Sequence, residues 1–357
     1  MQAGINRQWL LARRPQGVIC ADDFQWSEIP INEPADGEIL VRNLCLSCDP
    51  TQRGWMSGNT YWPAVKLGEV MRSFAVGEVI VSRNAAFRPG QWVQGLFGWQ
   101  DYCVAGQGGA YPILPVPPGV PIESALSALG NTGMTAYFGL LDVGRPRPGE
   151  SVVVSAAAGA TGSAVGQIAK IKGCRTIGIA GGPDKCHGLV TELGFDAAID
   201  YKSENVMTRL RQTCPDGIDI YFDNVGGRIL DAALMHLALH GRVVLCGAMS
   251  TYNDVAGALG PKNYLKLLVQ RGRMEGFVVI DYLARADEAM TQLAEWLRDG
   301  KLKDRVDVQR GLENAPAVVA RLFRGDNRGK QLLAIAEPAA VVDEHTHTAL
   351  GEPPRTP

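Results

Sequence analysis

Three short stretches carry residues whose types and spacing can do chemistry. In "LCLSCDPTQRG" (Leu44 to Gly54), Cys45 and Cys48 stand three apart with Asp49 next. That pattern serves as half a zinc site, as a redox pair, or as neither. In "SAAAGATGSAVG", Gly159 and Gly162 follow the apolar run Val152 to Val154, and Gly166 comes one turn later. A tight strand-to-helix turn of this kind lets the backbone approach a pyrophosphate, and the helix N-terminus adds N–H donors and a positive dipole. The third stretch, "IAGGPDKC", ends the next apolar run. An acid at this place holds the ribose hydroxyls of NAD. Here Gly181 and Gly182 leave room, and Lys185 can meet a 2′-phosphate. NADP(H) is therefore the expected cofactor, with Asp184 as the residue that argues for NAD. Tyr201, just past the following strand, can pack on that phosphate or hydrogen-bond to it.

The surrounding elements must position these groups. Residues 1–128 are rich in Gly, Pro and short β-branched runs. "GEILVRNLCLS", "VGEVIVSRN" and "PGQWVQGLFGWQDYCVA" predict strands broken by turns, in a small antiparallel, barrel-like β domain. From about Ser124 the texture changes. "ESALSALGNTGMTAYFGLLDVG" has helical spacing, and apolar strands then alternate with helical segments through residues 129–304. Such alternation predicts βαβ units and a parallel sheet. Residues 305–337 read as a helix, a turn and a strand. Residues 338–357 lack periodicity and predict a disordered tail.

The chain has 357 residues, enough for about two domains. Its 35 basic and 37 acidic side chains give a net charge of −2, which provides no electrostatic case for nucleic acid or a membrane surface. No apolar run reaches the ~20 residues of a bilayer span. No secretory signal is legible, so a cytoplasmic enzyme is expected. The eight cysteines are scattered, unlike a disulfide framework.

With these features the chain resembles the medium-chain dehydrogenase/reductase superfamily. More narrowly, it is similar to the zinc-independent double-bond reductases, which include prostaglandin, alkenal and curcumin reductases. The motifs that carry the likeness are "GWQDY", "GMTAYFGLLDVG", "AAAGATGSAVGQIAKIKGC", "YFDNVGG", "CGAMSTYN", "RMEGFVV" and "GDNRGK", spread over about 330 residues. The resemblance implies an N-terminal GroES-like β-barrel catalytic domain (1–128), a doubly wound Rossmann domain (129–304) and a segment returning to the first domain (305–337). It implies NADPH in the cleft between them. The stretch Gly159, Ala160, Thr161 and Gly162 would meet the pyrophosphate. Lys185 and Tyr201 would bind the 2′-phosphate, and Asn224 would contact the cofactor. Cys246, Gly247, Ala248, Met249, Ser250, Thr251 and Tyr252 would line its path. Phe277, Val278, Val279 and Asn327 would close over the nicotinamide end. A homodimer is also implied, with the apolar stretch "RMEGFVVIDY" able to pair across the interface.

The chemistry so implied is hydride transfer to the β-carbon of an α,β-unsaturated ketone or aldehyde. Charge then builds on the carbonyl oxygen, where a donor lowers the barrier, and a side chain or water protonates the α-carbon. A tyrosine suits the donor role, because it stays protonated at pH 7 without a charge to desolvate. Tyr252 in "STYN" matches the tyrosine proposed for the family, and Tyr61 in "GNTYWPAV" is the second candidate. Two stretches depart from the family. Related enzymes commonly read "DPYMRG" at Asp49–Gly54, where Thr51 and Gln52 stand here. They read close to "GMPGLTAY" where this chain has Asn131 and Thr132. Both departures fall where substrate and nicotinamide should meet, so a more polar pocket is expected.

Other readings compete. A zinc alcohol dehydrogenase needs histidine in the catalytic domain, yet the five histidines begin at His187, and "LGE" (Leu67 to Glu69) stands where zinc enzymes carry Gly-His-Glu. No metal is therefore expected. A quinone reductase would share the cofactor site. A nucleotide-binding protein without turnover, of the crystallin type, is the reading from another class.

Overall fold

The computed structural model describes residues 4–106, 108–109, 111–254 and 260–338. The predicted tail therefore lies outside the described residues from 339 onward. Six parallel strands form the nucleotide-type sheet. Their spatial order is Ala197–Asp200, Arg175–Ala180, Ser151–Ser155, Ile218–Asp223, Leu237–Leu245 and Arg273–Gly276. The first strand in sequence thus sits third, and the direction of winding reverses between Ser151–Ser155 and Ile218–Asp223. Doubly wound sheets bind ligands at that switch point, outside the strands' carboxyl ends.

The alternation of side chains explains why these runs are apolar throughout. Val152 and Val154 pack into the core on one face with Ile168, Phe222 and Trp296. Val153 points to the other face, among Ile177, Tyr221 and Leu234. A sheet covered on both faces has no polar side to show in the sequence.

A second sheet of seven strands is mixed. Its order is Val306–Arg310, Lys330–Ala334, Glu38–Ser47, Ala75–Ser82, Trp92–Gly95 and Leu114–Pro115, with Tyr102–Gly106 also paired to Glu38–Ser47. The last strand of the chain thus lies beside an early one, with Leu333 opposite Leu46. A hairpin, Ile5–Leu11 with Phe24–Pro30, completes this half, with Trp9 edge-on to Trp26 at 5.0 Å. Leu46, Trp55, Phe97, Trp99 and Leu332 belong to its core.

Two expected elements change on folding. The helical stretch from Ser124 breaks into Ile122–Leu126, Asn131–Phe138 and a widened turn over Gly139–Gly144. At the break the chain folds tightly on itself: a Cβ on Gly130 would lie 2.4 Å from the Ala125 carbonyl oxygen. The stretch "RMEGFVVIDY" is a strand only over Arg273–Gly276, after which Val279–Arg285 forms a tight 3₁₀ turn.

Candidate active site

The cleft lies between the two halves and has a volume of about 1190 Å³. Its floor is the turn after Ser155. Ala156 there has φ 48°, and Gly159 caps the helix Ala160–Ile171 without a side-chain partner. The first N–H groups of that helix are therefore open to a ligand. A Cβ on Gly162 would lie 2.4 Å from the Ala156 carbonyl oxygen, so only glycine allows this turn. The returning C-terminal segment seals one end of the cleft, where the Gly329 N–H donates to Ala158 O at 3.1 Å.

At the carboxyl end of Arg175–Ala180, the ring of Tyr201 lies where a Cβ on Gly181 would sit, 2.9 Å away. Lys185 is half-buried and lines the cleft, and its ammonium donates to Gly325 O at 2.7 Å. Burial, and next the charge of nearby Lys202, push its pKa below the usual lysine value. Two cations facing one space suit an anion of the size of a phosphate. Asp184 does not line the cleft. It is exposed and pairs with Arg328 at 2.8 Å. Asn224 divides its side chain: Nδ2 donates to Ser155 O at 2.7 Å, while the residue still faces the cleft. Asn327 donates from its amide to Gly329 O at 2.8 Å.

The segment after Leu245 forms the opposite wall. Ser250 donates to Val225 O at 2.7 Å, and Thr251 to Ala248 O at 2.8 Å. Cys246, Gly247, Met249, Ser250, Thr251 and Tyr252 line the cleft, as do Phe277, Val278 and Val279. Ala248 does not line it, and it contributes its backbone N–H, which donates to Tyr252 Oη at 3.3 Å. Burial raises the pKa of Tyr252 above the ordinary tyrosine value. Tyr61 approaches from the β half, with its Oη 3.0 Å from Thr51 Oγ1.

Thr51, Asn131, Thr132 and Thr135 face the cleft, but Gln52 does not. Gln52 is fully buried, and its amide donates to Ser47 O at 3.3 Å and Arg72 O at 3.2 Å. The expectation that both Thr51 and Gln52 enrich the pocket is thus corrected. Two buried backbone carbonyls need a donor, and Gln52 supplies it.

Sequence reasoning missed Lys330. Its side chain is 1% exposed, and its ammonium pairs with Asp49 and reaches Cys48 O at 3.4 Å. Ser47 Oγ donates to the same carboxylate at 2.5 Å. The two cysteines are buried thiols, with Cys45 pushed by burial to about 12 and Cys48 higher still. They have neither the exposure nor the thiolate character of redox thiols. Among the described residues, no group of three or more His, Cys, Asp or Glu side chains is arranged to hold a metal ion.

Comparison with known proteins agrees with this geometry. Residues 7–113 match a family model described as the N-terminal domain of oxidoreductase, and residues 160–298 match one described as zinc-binding dehydrogenase. The NADPH-dependent curcumin reductase of Escherichia coli (strain K12) is 40% identical over 93% of this chain and 97% of its own. The chain belongs to the zinc-independent double-bond reductases of the medium-chain dehydrogenase/reductase superfamily. The NADP(+)-dependent 2-alkenal reductase of Nicotiana tabacum is 36% identical over 93% of this chain and 98% of its own. The structure of CurA from Vibrio vulnificus in complex with NADPH superposes with a TM-score of 0.87 at 42% identity, covering 93% of this chain and all of that one. The cofactor of this superfamily member is NADP(H).

Proposed function

We propose that this protein reduces the C=C bond of α,β-unsaturated ketones and aldehydes with NADPH. The observation that carries the proposal is the hydrogen bond from the Ala248 N–H to Tyr252 Oη. It occupies a lone pair of the hydroxyl and leaves the O–H proton free to donate into the cleft.

When bound, NADPH supplies a hydride to the β-carbon. Gly159 to Gly162 hold the diphosphate through open N–H groups, and Lys185 with Tyr201 holds the 2′-phosphate. Asn224, the segment Cys246 to Tyr252, Phe277 to Val279, and Asn327 complete the binding wall. Tyr252 donates its proton toward the substrate's carbonyl oxygen as negative charge gathers there. The α-carbon takes its proton from tyrosine or water. Tyr61, tied to Thr51, is placed on the β-half side to assist.

The substrate reading goes further. Asn131 lines the cleft and adds a polar side chain to its wall. With Thr51, Thr132 and Thr135 alongside, this favours enones with oxygenated substituents over plain long-chain alkenals.

The proposal extends to assembly and place. Strand Arg273–Gly276 is a free sheet edge, and the neighbouring helix Leu265–Gln270 exposes Leu265, Leu268 (76%) and Val269. A second copy of the chain would cover both, giving a homodimer. Among the described residues, no helix is long and apolar enough to cross a membrane. The cytoplasm suits eight free cysteines.

A kinetic panel tests the function: NADPH and NADH against enones, enals, nitroalkenes and quinones. Fast NADPH oxidation with enones and slow with quinones is expected. A preference for quinones, or NADPH binding without turnover on any member, would replace the proposal with one of its competitors. Sedimentation of wild type and Leu268→Asp tests the dimer, which the variant should weaken.

A further inference from the structure

The short helix Thr51–Ser57 touches both candidate tyrosine segments. Thr51 meets Tyr61 directly. Arg53, two residues on, is 4% exposed and forms no ion pair among the described residues. Its guanidinium donates to Pro15 O at 3.0 Å, to Gly17 O at 3.1 Å and to Ser57 Oγ. Its Nε also reaches Asn253 Oδ1 at 3.2 Å, 200 residues away in the chain and across the cleft.

Asn253 directly follows Tyr252. The segment before Tyr252 is fixed to its own half: Met249 N donates to Asn224 O at 3.2 Å, and Ser250 N to Val225 O at 3.0 Å. After Tyr252, the hydrogen bond from Arg53 is the one that ties residues 246–254 to the β half, among the described residues. Tyr252 is thus suspended between an anchor in the nucleotide-binding half and an anchor in the half that presents Tyr61.

We infer that Asn253 is a positioning residue, through which Arg53 holds the Tyr252 hydroxyl at its working place when the two halves face each other across the cleft. Asn253 touches no reacting atom. It sets the direction of the Tyr252 O–H by fixing the backbone next to it. Arg53 is well suited to the task. A buried guanidinium has five donors in a rigid fork. Here Nη2 is held by Pro15 O and Gly17 O and Nη1 by Ser57, while Nε is shared between Gly17 O at 3.3 Å and Asn253 Oδ1 at 3.2 Å, so the fork faces Asn253 in a set direction. The inference rests on the proposed role of Tyr252.

The test is a double-mutant cycle on the full-length enzyme with NADPH and an enone. Asn253→Leu should lower kcat on the order of ten- to a hundredfold, the range that a small misplacement costs. The dissociation constant for NADPH and the melting temperature should hold. Asn253→Asp keeps an acceptor facing Arg53 and should restore most of kcat. In a Tyr252→Phe background, Asn253→Leu should add almost nothing. Equal losses in both backgrounds, or a loss confined to NADPH affinity, would overturn the positioning role while leaving Tyr252 in place. Wild-type kcat in Tyr252→Phe would overturn the reading of Tyr252 and this inference with it. Wild-type kcat in Asn253→Leu would overturn this inference alone.

Discussion

Asp184 and Arg328 form an ion pair at 2.8 Å, and the pair holds the Asp184 carboxylate away from the cleft. Both side chains are exposed, so the pair contributes little stability. Its effect is on direction. The space beside Gly181 is left to Lys185, Lys202 and the ring of Tyr201.

Lys185→Ala should therefore weaken NADPH binding and leave NADH binding nearly unchanged. A hydrogen bond to a charged group contributes roughly 1.5–3 kcal/mol, which is ~10- to 150-fold in Kd. Fluorescence titration with both nucleotides measures this. Equal losses for the two would remove Lys185 from the phosphate site.

Tyr252→Phe should lower kcat on enones by about 10²- to 10³-fold, as loss of one oxyanion donor does. The pH profile follows from the direction of the Tyr252 shift. Burial raises its pKa above the ordinary tyrosine value, so the neutral, donating form persists through neutral pH. Its loss begins only as pH rises past the usual tyrosine range. Rates should stay level from about pH 7 to 9 on this account. A tyrosine-dependent fall below pH 9 would contradict it.

Alkylation separates the cysteines. Cys20 is exposed, whereas burial pushes Cys45 to about 12 and Cys48 beyond it. Iodoacetamide at pH 8 should label Cys20 in the native enzyme and spare the other two, with activity retained. Peptide mass spectrometry reads the sites. Labelled Cys48 in folded protein would show that the β-half wall of the cleft opens. Dialysis against a chelator should likewise leave the rate unchanged.

Lys330 and Asp49 offer an asymmetric stability test. Asp49→Asn strands a buried ammonium and should cost about 3–5 kcal/mol, whereas Lys330→Met removes the charge and should cost much less. Urea unfolding of the two variants compares them. Equal or reversed costs would mean that the ammonium finds another partner.

Legibility in the sequence follows the range of the interactions. The Gly159 to Gly162 turn and its flanking strands are local, so spacing alone reveals them. The two-half organisation is legible from the switch between turn-rich and alternating texture. Gln52 misleads because residue type does not say which way a side chain points: a polar residue in a cleft loop can turn inward to satisfy carbonyls. "RMEGFVVIDY" misleads because an apolar run has the same look in a strand and in a wall of the cleft. Lys330 with Asp49, and Arg53 with Asn253, are invisible at sequence level, because each partner is ordinary in its own neighbourhood.

The pairing of Leu333 with Leu46 also imposes an order on synthesis. The six parallel strands lie in one uninterrupted stretch, so that half can close while the chain is still being made. The β half cannot. In its strand Glu38–Ser47 the end Cys45–Ser47 keeps one edge open until Lys330–Ala334 leaves the ribosome, whereas Tyr102–Gly106 already covers Glu38–Arg42. Amide protection at Cys45–Cys48 should therefore arise together with that of Lys330–Ala334, after the nucleotide-binding half is already protected.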